Sequence, residues 1–350
     1  MKLPTGISLQ DIATAVGVSV STVSRALNDS ERVSLVTKQA VQNAIEEIAR
    51  QRERGDGRAT IRPMIGITHS HPSGIEATRG LDVILEQVLA GVEIECLRAG
   101  YIPYPWQQSR LLGLPDGEPF FQAVSGVIMS GGLVGRDLLE QIRSRDLPVV
   151  IIGGHVSGLD VPSVGADNQR GTYCLTRHLI DLGHRRIALV NGPSETYTSF
   201  EKKAGYLTAL VEAGVDVDPA LIRWQDGFAG FDAPAAVRRT EELLALANPP
   251  TAVLYASDTM AEAGYRVLGR AGRRIPEDVS VAGFHDDRNA CHLDPPLTTV
   301  RVDRIAWGKA AAIQLFAMLA GRRLGGTRTL LPVELVIRKS TGPVPERKGR

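Results

Sequence analysis

The 350-residue sequence is poor in cysteine, poor in aromatic side chains and almost without net charge. Its three cysteines, Cys96, Cys174 and Cys291, are odd in number and far apart. That spacing excludes a disulfide framework, fits a reducing cytosol and provides no metal-binding pattern. Each is expected to act as a small buried hydrophobe. No apolar run approaches the length that spans a bilayer, and the N-terminus lacks the apolar core of a signal peptide, so a cytoplasmic protein is expected. A formal net charge of +1 excludes the global basic field of a nonspecific nucleic-acid coat. There is no glycine-rich phosphate loop, no Gly-x-Ser-x-Gly elbow and no zinc spacing, so nothing calls for an enzyme or a cofactor. His69-Ser-His71 and His285-Asp-Asp287 are the only clusters that look like metal ligands, and each is better explained as polar lining of a cleft.

What is present is informative from the start of the chain. Residues 9–34 read LQDIATAVGVSVSTVSRALNDSERVS. Leu9, Ile12, Ala13 and Val16 recur at i, i+3, i+4 and i+7, which predicts one apolar face of a helix. Gly17 follows where a sharp turn is needed, and glycine tolerates positive φ. Ser19 is placed to cap a second helix. Val23 and Leu27 would turn that helix toward the first. Val20, Ser21, Thr22, Ser24 and Arg25 occupy its other face, small enough to enter a major groove. A third helix is expected over 34–50, with Val41, Ala44, Ile45 and Ile48 as its apolar stripe.

This stretch resembles the DNA-binding headpiece of the lactose-repressor (LacI/GalR) family of bacterial transcription regulators. Asp11, Ile12, Ala13, Gly17, Val18, Ser19, Thr22, Val23, Ser24, Arg25, Leu27 and Asn28 fit the family pattern. Four later segments extend the likeness to nearly the whole chain. They are VGADNQRG at 164–171, HLIDLGHRRIA at 178–188, IPEDVSVAGF at 275–284 and PPLTT at 295–299. The resemblance implies a headpiece, a two-lobed core like periplasmic sugar-binding proteins, and a homodimer formed through the core. It further implies a near-palindromic operator in double-stranded DNA, and a small molecule in the cleft that changes DNA affinity.

The residue pattern independently predicts α/β architecture. Short apolar runs at 64–68, 126–129, 148–152, 187–190, 252–255 and 279–283 alternate with amphipathic stretches, as in parallel sheets covered by helices on both faces. The expected division is a headpiece at 1–50, a linker at 51–62, an effector-binding core at 63–342 and a tail at 343–350. Within the core, one lobe is expected at about 63–167 with 298–325, the other at about 168–297 with 326–342. A cleft between two such lobes suits a small ligand.

Arg25 is the first candidate for base contact, because Arg pairs bidentately with guanine. Val20 and Ser21 match the family's two specificity positions. Ser19, Thr22, Ser24 and Asn28 are expected on phosphates, with local capping an equal alternative for Ser24 and Asn28. Nine Lys/Arg against seven Asp/Glu in residues 1–62 leave affinity to placed contacts. The linker departs from the family. From Arg50 it reads RQRERGDGRAT, without the Tyr, Pro, Asn and wedging Leu of relatives, and Ala59 falls near the Leu position. Both a solvated linker and an arginine-rich groove-binding arm fit it. The expectation is a linker that is disordered without DNA and bends the operator less than relatives do.

By family position, Ser70, Ser130, Arg170, Lys202, Phe228, Ser257 and His285 should line the cleft. Lys202 stands where many relatives have an Arg that binds sugar hydroxyls, and His285 replaces the usual acid. A one-residue slip would make Asp286 and Asp287 the pair instead. A protonated His285 with Lys202 and Arg170 would suit an acidic sugar derivative. Neutralisation of those cations by Asp258, Asp286 or Asp287 would leave a neutral-sugar site. The function expected is effector-controlled repression. The alternative is a corepressor-dependent regulator binding a nucleobase-like or other non-sugar metabolite. The rival classes, an enzyme and a secreted binding protein, lack respectively a catalytic motif and an export signal.

Overall fold

The computed structural model describes residues 9–28, 33–53, 63–69, 78–107, 118–130, 136–156, 158–226 and 233–345. The chain forms two compact units, Met1–Arg62 and Pro63–Arg350.

The first unit holds helices α1 (Leu9–Val16), α2 (Val20–Leu27) and α3 (Leu35–Glu53). Ile12, Ala13, Val23, Val41 and Ile45 form its buried core, with Leu9, Val16, Leu27 and Ala44 packed around them. Gly17 takes φ +71° between the first two helices, a value at which a β-carbon would be strained. The Ser34 hydroxyl accepts from the Thr37 N–H at 3.2 Å and so caps α3. That helix continues to Glu53, so residues 51–53 are helical rather than linker. The remaining linker, residues 54–62, and the Ile48 side chain lie outside the described residues.

The second unit is built on a six-stranded sheet, a four-stranded sheet and a two-stranded ribbon. In the first lobe, β1 (Met64–His69), β2 (Ile102–Gln107), β3 (Val124–Ser130), β4 (Val149–Ile152), β5 (Ser163–Ala166) and β11 (Arg328–Leu331) pair in the order β11-β5-β4-β3-β1-β2. Every pairing is parallel. Ile65, Ile67, Ile128, Val150 and Ile152 face α4 (Thr78–Ala99) and α11 (Arg304–Leu319). Val127, Met129, Val149 and Ile151 face the other way, onto α5 (Glu118–Ala123) and α6 (Arg136–Arg143). This alternation is what a two-sided sheet requires of a strand.

In the second lobe, β6 (Ile187–Pro193), β7 (Ile222–Gln225), β8 (Ala252–Tyr255) and β9 (Ser280–Ala282) pair in the order β7-β6-β8-β9. An antiparallel ribbon of β10 (Thr299–Val302) and β12 (Val333–Val336) bridges to the β9 region at Ala282–Thr298 and His285–Arg301. The helices here are α7 (Asn168–Asp181), α8 (Tyr197–Glu212), α9 (Ala233–Leu244) and α10 (Asp258–Arg270). Gly205 lets α7 and α8 touch closely, since a β-carbon there would stand 2.1 Å from the Gln169 carbonyl oxygen.

The lobe assignment from the sequence is corrected. β10 belongs with the second lobe and β11 with the first, although the expected division put 298–325 in the first and 326–342 in the second; α11 still packs in the first lobe and β12 in the second. β11 and β12 are separate strands divided at Pro332. Pro332 has no N–H to give a ladder, and the chain changes lobes there. The unforeseen β2, IPYPWQ, is an edge strand paired, among the described residues, with β1, a setting in which its two prolines are tolerated. The cysteines also differ from expectation. Cys96 is buried and its thiol is pushed up to about 11 by burial and by Glu93 and Glu95, but Cys174 is only partly buried and Cys291 is exposed.

The backbone crosses between lobes at Asp167, Asp303 and Pro332. Asp167 and Asp303 cap the helices that follow, accepting from the Arg170 and Ala306 N–H groups at 2.9 Å each. The Asp167 N–H donates to the Leu331 carbonyl at 3.0 Å, joining the first crossing to the third.

Candidate DNA interface and effector cleft

The N-terminus of α2 is fixed by one side chain. The Ser19 hydroxyl accepts from the Thr22 N–H at 3.1 Å and lies 2.8 Å from both the Ser21 and Thr22 hydroxyls. Val23 is fully buried on the inner face, which aims the opposite face at solvent. Val20, Ser21 and Arg25 are exposed there, and Thr22 and Ser24 are half-buried. Asn28 is exposed and ends the helix, its N–H donating to the Ser24 carbonyl at 3.2 Å. The result is a short rigid helix presenting small polar groups and one long cation, compatible in size with a major groove.

In the second unit, Lys202 lies in the second turn of α8, only 1% exposed, with its ammonium 4.4 Å from the centre of the Phe284 ring. Burial, reinforced by Arg304 and opposed by Glu201, brings its pKa down to about 7. The neighbouring His285 is buried with φ +109°, followed by Asp286 at +55°. Such values are unfavourable for residues other than glycine and are held by the surroundings. The His285 N–H donates to the Val300 carbonyl at 2.7 Å. Arg301 and Arg338 grip the Asp286 carboxylate at 2.8 and 2.6 Å. The Asp258 carboxylate accepts from the Asp287 N–H at 2.7 Å and the Thr299 hydroxyl at 2.6 Å. Burial and the Asp287 charge still raise Asp258 to about 8.

His285 does not supply a titrating cation near its ordinary value. Burial and the charges of Lys202 and Arg304 hold its pKa well below 6.5, so the ring is neutral. Arg170 does not join the cluster either. Asn168, Gly171 and Thr172 are buried in the first turns of α7, and Arg170 points to the exposed side. The second cation is Arg304, which sequence reasoning missed. It is 3% exposed and reaches the Asp287 carboxylate at 2.8 Å and the Gln87 amide oxygen at 3.3 Å. In sequence it resembles any surface arginine of an amphipathic helix.

Ser130 ends β3 and is buried. Ser257 is buried too, and its hydroxyl caps α10 by accepting from the Met260 N–H at 3.2 Å. Ser70 and Phe228 lie outside the described residues. Among the described residues no group of His, Cys, Asp and Glu could hold a metal ion, and no helix is long and apolar enough to cross a membrane.

Comparison with known proteins agrees with this architecture. Residues 8–51 match the family of bacterial regulatory proteins, lacI family, and residues 176–341 match a periplasmic binding protein-like domain. The chain is 28% identical to the HTH-type transcriptional repressor CytR of Escherichia coli K12, covering 98% of this chain and 99% of CytR. It is 31% identical to the HTH-type transcriptional regulator CelR of Thermobifida fusca, covering 95% and 98% respectively. Among solved structures, a CelR–cellobiose complex superposes with a TM-score of 0.70 at 31% identity, over 95% of this chain and 99% of that one. The lac repressor dimer bound to operator and the anti-inducer ONPF superposes at 0.66 and 26% identity, over 96% and 99%. The relatives are transcription regulators rather than enzymes, and this chain belongs to the LacI family of DNA-binding regulators with a ligand-binding core.

Proposed function

We propose that this protein is a repressor that reads a near-palindromic operator as a homodimer and responds to a small carbohydrate-derived metabolite carrying an acidic group. The observation that carries the DNA-binding half is the capped α2, with Val20, Ser21 and Arg25 exposed above a buried Val23. Arg25 reads a base, Val20 and Ser21 set preference, and Ser19, Thr22, Ser24 and Asn28 contact phosphates. A two-fold partner supplies the second half-site.

For the effector, a sugar is supported by CelR, 31% identical and solved with cellobiose. The acidic group is supported by the buried Lys202 beside Arg304. An ammonium held near neutrality by burial gains most from a carboxylate or phosphate, because charge-assisted hydrogen bonds are the strong ones. With His285 neutral, Lys202 carries the attraction. Asp286 is bound to Arg301 and Arg338, and Asp287 to Arg304.

Selection from random duplex DNA with the full chain, followed by footprinting, tests the first half. A two-fold-symmetric site that is lost on deleting residues 1–62 is expected, and binding with no sequence preference would refute it. A thermal-shift screen pairing neutral sugars with their uronic acids and phosphates tests the second. A ligand at about 100 times its Kd stabilises the native state by about 2.7 kcal/mol. Hits are then added to the operator complex, where release of DNA is expected and tightening would mark a corepressor.

A further inference from the structure

We propose that Arg328 is a clasp between the two lobes, closing on Glu201 and Tyr197 of α8. Arg328 opens β11, which is paired to β5 at the edge of the first sheet. Its guanidinium leaves that lobe. It forms an ion pair with the Glu201 carboxylate, donates to the Tyr197 hydroxyl at 3.1 Å and lies over the Tyr197 ring at 4.5 Å. Tyr197 and Glu201 are one turn apart on α8, whose packing is with the second lobe. A second first-lobe residue joins the contact, for the His155 ring, just beyond β4, meets the Tyr197 ring edge-on at 5.0 Å. Gly153, Gly154 and Gly165 complete the wall, leaving a cavity of about 10 Å³ between the lobes there.

The chemistry suits a contact that opens and closes. The Glu201 side chain is 8% exposed and that of Arg328 27%, so the pair is largely dry when the lobes meet. A buried carboxylate needs its partner. On opening, the Asn168 amide, 2.9 Å from Glu201 and on the same lobe, stays with the carboxylate while water replaces the guanidinium. Arg304 also spans the lobes through Asp287, but it stands beside the crossing residue Asp303, where the lobes are covalently joined. Arg328 stands at the far end of β11, four residues before the crossing at Pro332. Glu201 is also the chain neighbour of Lys202, so the helical turn that carries the clasp also carries the cleft ammonium. A shift of one displaces the other. The proposal does not depend on what the cleft binds.

Intrachain distances test it in the full-length protein. Spin labels are placed by Gln141→Cys and Thr208→Cys on exposed positions of the two lobes, with Cys174→Ser and Cys291→Ser, and the labelled chain is diluted into unlabelled chain. Arg328→Gln and Glu201→Gln should each shift the main distance to longer values. The charge exchange, Glu201→Arg with Arg328→Glu, should bring it back toward the wild-type value. Tyr197→Leu removes the ring without stranding a charge and should give a smaller shift the same way, which decides the matter if the charge variants do not fold. Wild-type distances in the folded single variants, or in Tyr197→Leu, would overturn the clasp. So would an exchange that stays open.

Discussion

The Lys202 ammonium rests 4.4 Å from the centre of the Phe284 ring, and it does so almost entirely out of water. The ring face offers negative potential, and the adjacent Glu201 adds a charge, but burial outweighs both and leaves the pKa about 7. This group therefore changes charge in the neutral range.

Effector binding should follow that charge. An anion binds the protonated form and raises the Lys202 pKa. Affinity for the acidic member of a matched pair should be greatest below about pH 7 and fall above it by up to about tenfold per pH unit, until the pKa of the complex is passed. Lys202→Met should cost about 1.5–3 kcal/mol, and should flatten the profile. Calorimetry at pH 6 and 8 with a sugar and its uronic acid or phosphate decides it. Tighter binding of the neutral member at both would end the acidic-effector reading.

Stability should carry the same signature with the opposite sign. Folding lowers the Lys202 pKa from 10.5 to about 7, so between those values the unfolded chain holds more protons and the contribution of Lys202 to stability rises with pH. Below about pH 7 the folded protein bears the full penalty of a buried charge. Lys202→Met should make the core more resistant to urea at pH 6 and weaken the rise toward pH 9. Equal stabilisation at both values would show that the lysine is not desolvated in solution.

Arg25→Ala should weaken operator binding by about 1–3 kcal/mol per half-site and relax preference at one base pair. Binding measured on the selected operator and on its single-base variants checks this. Uniform weakening across all sequences would make Arg25 a phosphate contact.

Ser19→Ala should act differently. The lost cap on α2 costs about 1 kcal/mol of headpiece stability, and DNA affinity should drop alike on every sequence. Circular dichroism melting of the full chain, alongside the same DNA panel, separates this from a change of specificity.

Gly205→Ala should loosen the second lobe by about 1–3 kcal/mol, because the new methyl meets backbone, with the Gln169 oxygen 2.1 Å and the Tyr173 nitrogen 2.9 Å from its ideal position. Denaturation followed by a probe in the core should register the loss. Wild-type stability would mean that α7 and α8 can separate freely.

The sequence determined the headpiece and the family because their signals are local. Leu9, Ile12, Ala13 and Val16 needed only helical periodicity, Gly17 only its backbone freedom and Ser19 only its spacing to Thr22. Most core strands were legible as short apolar runs buried on both faces. The tertiary structure decided what depends on distant partners and on water. Nothing local assigns β10 and β11 to opposite lobes, or joins Glu201 to Arg328 across more than a hundred residues. His285 has a ring able to take a proton in any sequence, and only its burial beside Lys202 and Arg304 keeps it neutral. Arg304 likewise becomes a buried interlobe group only once α11 has packed and Asp287 has come round to meet it. Periodicity and capping act over a few residues, whereas desolvation and charge pairing are properties of the folded interior, fixed only when the whole chain has closed around it.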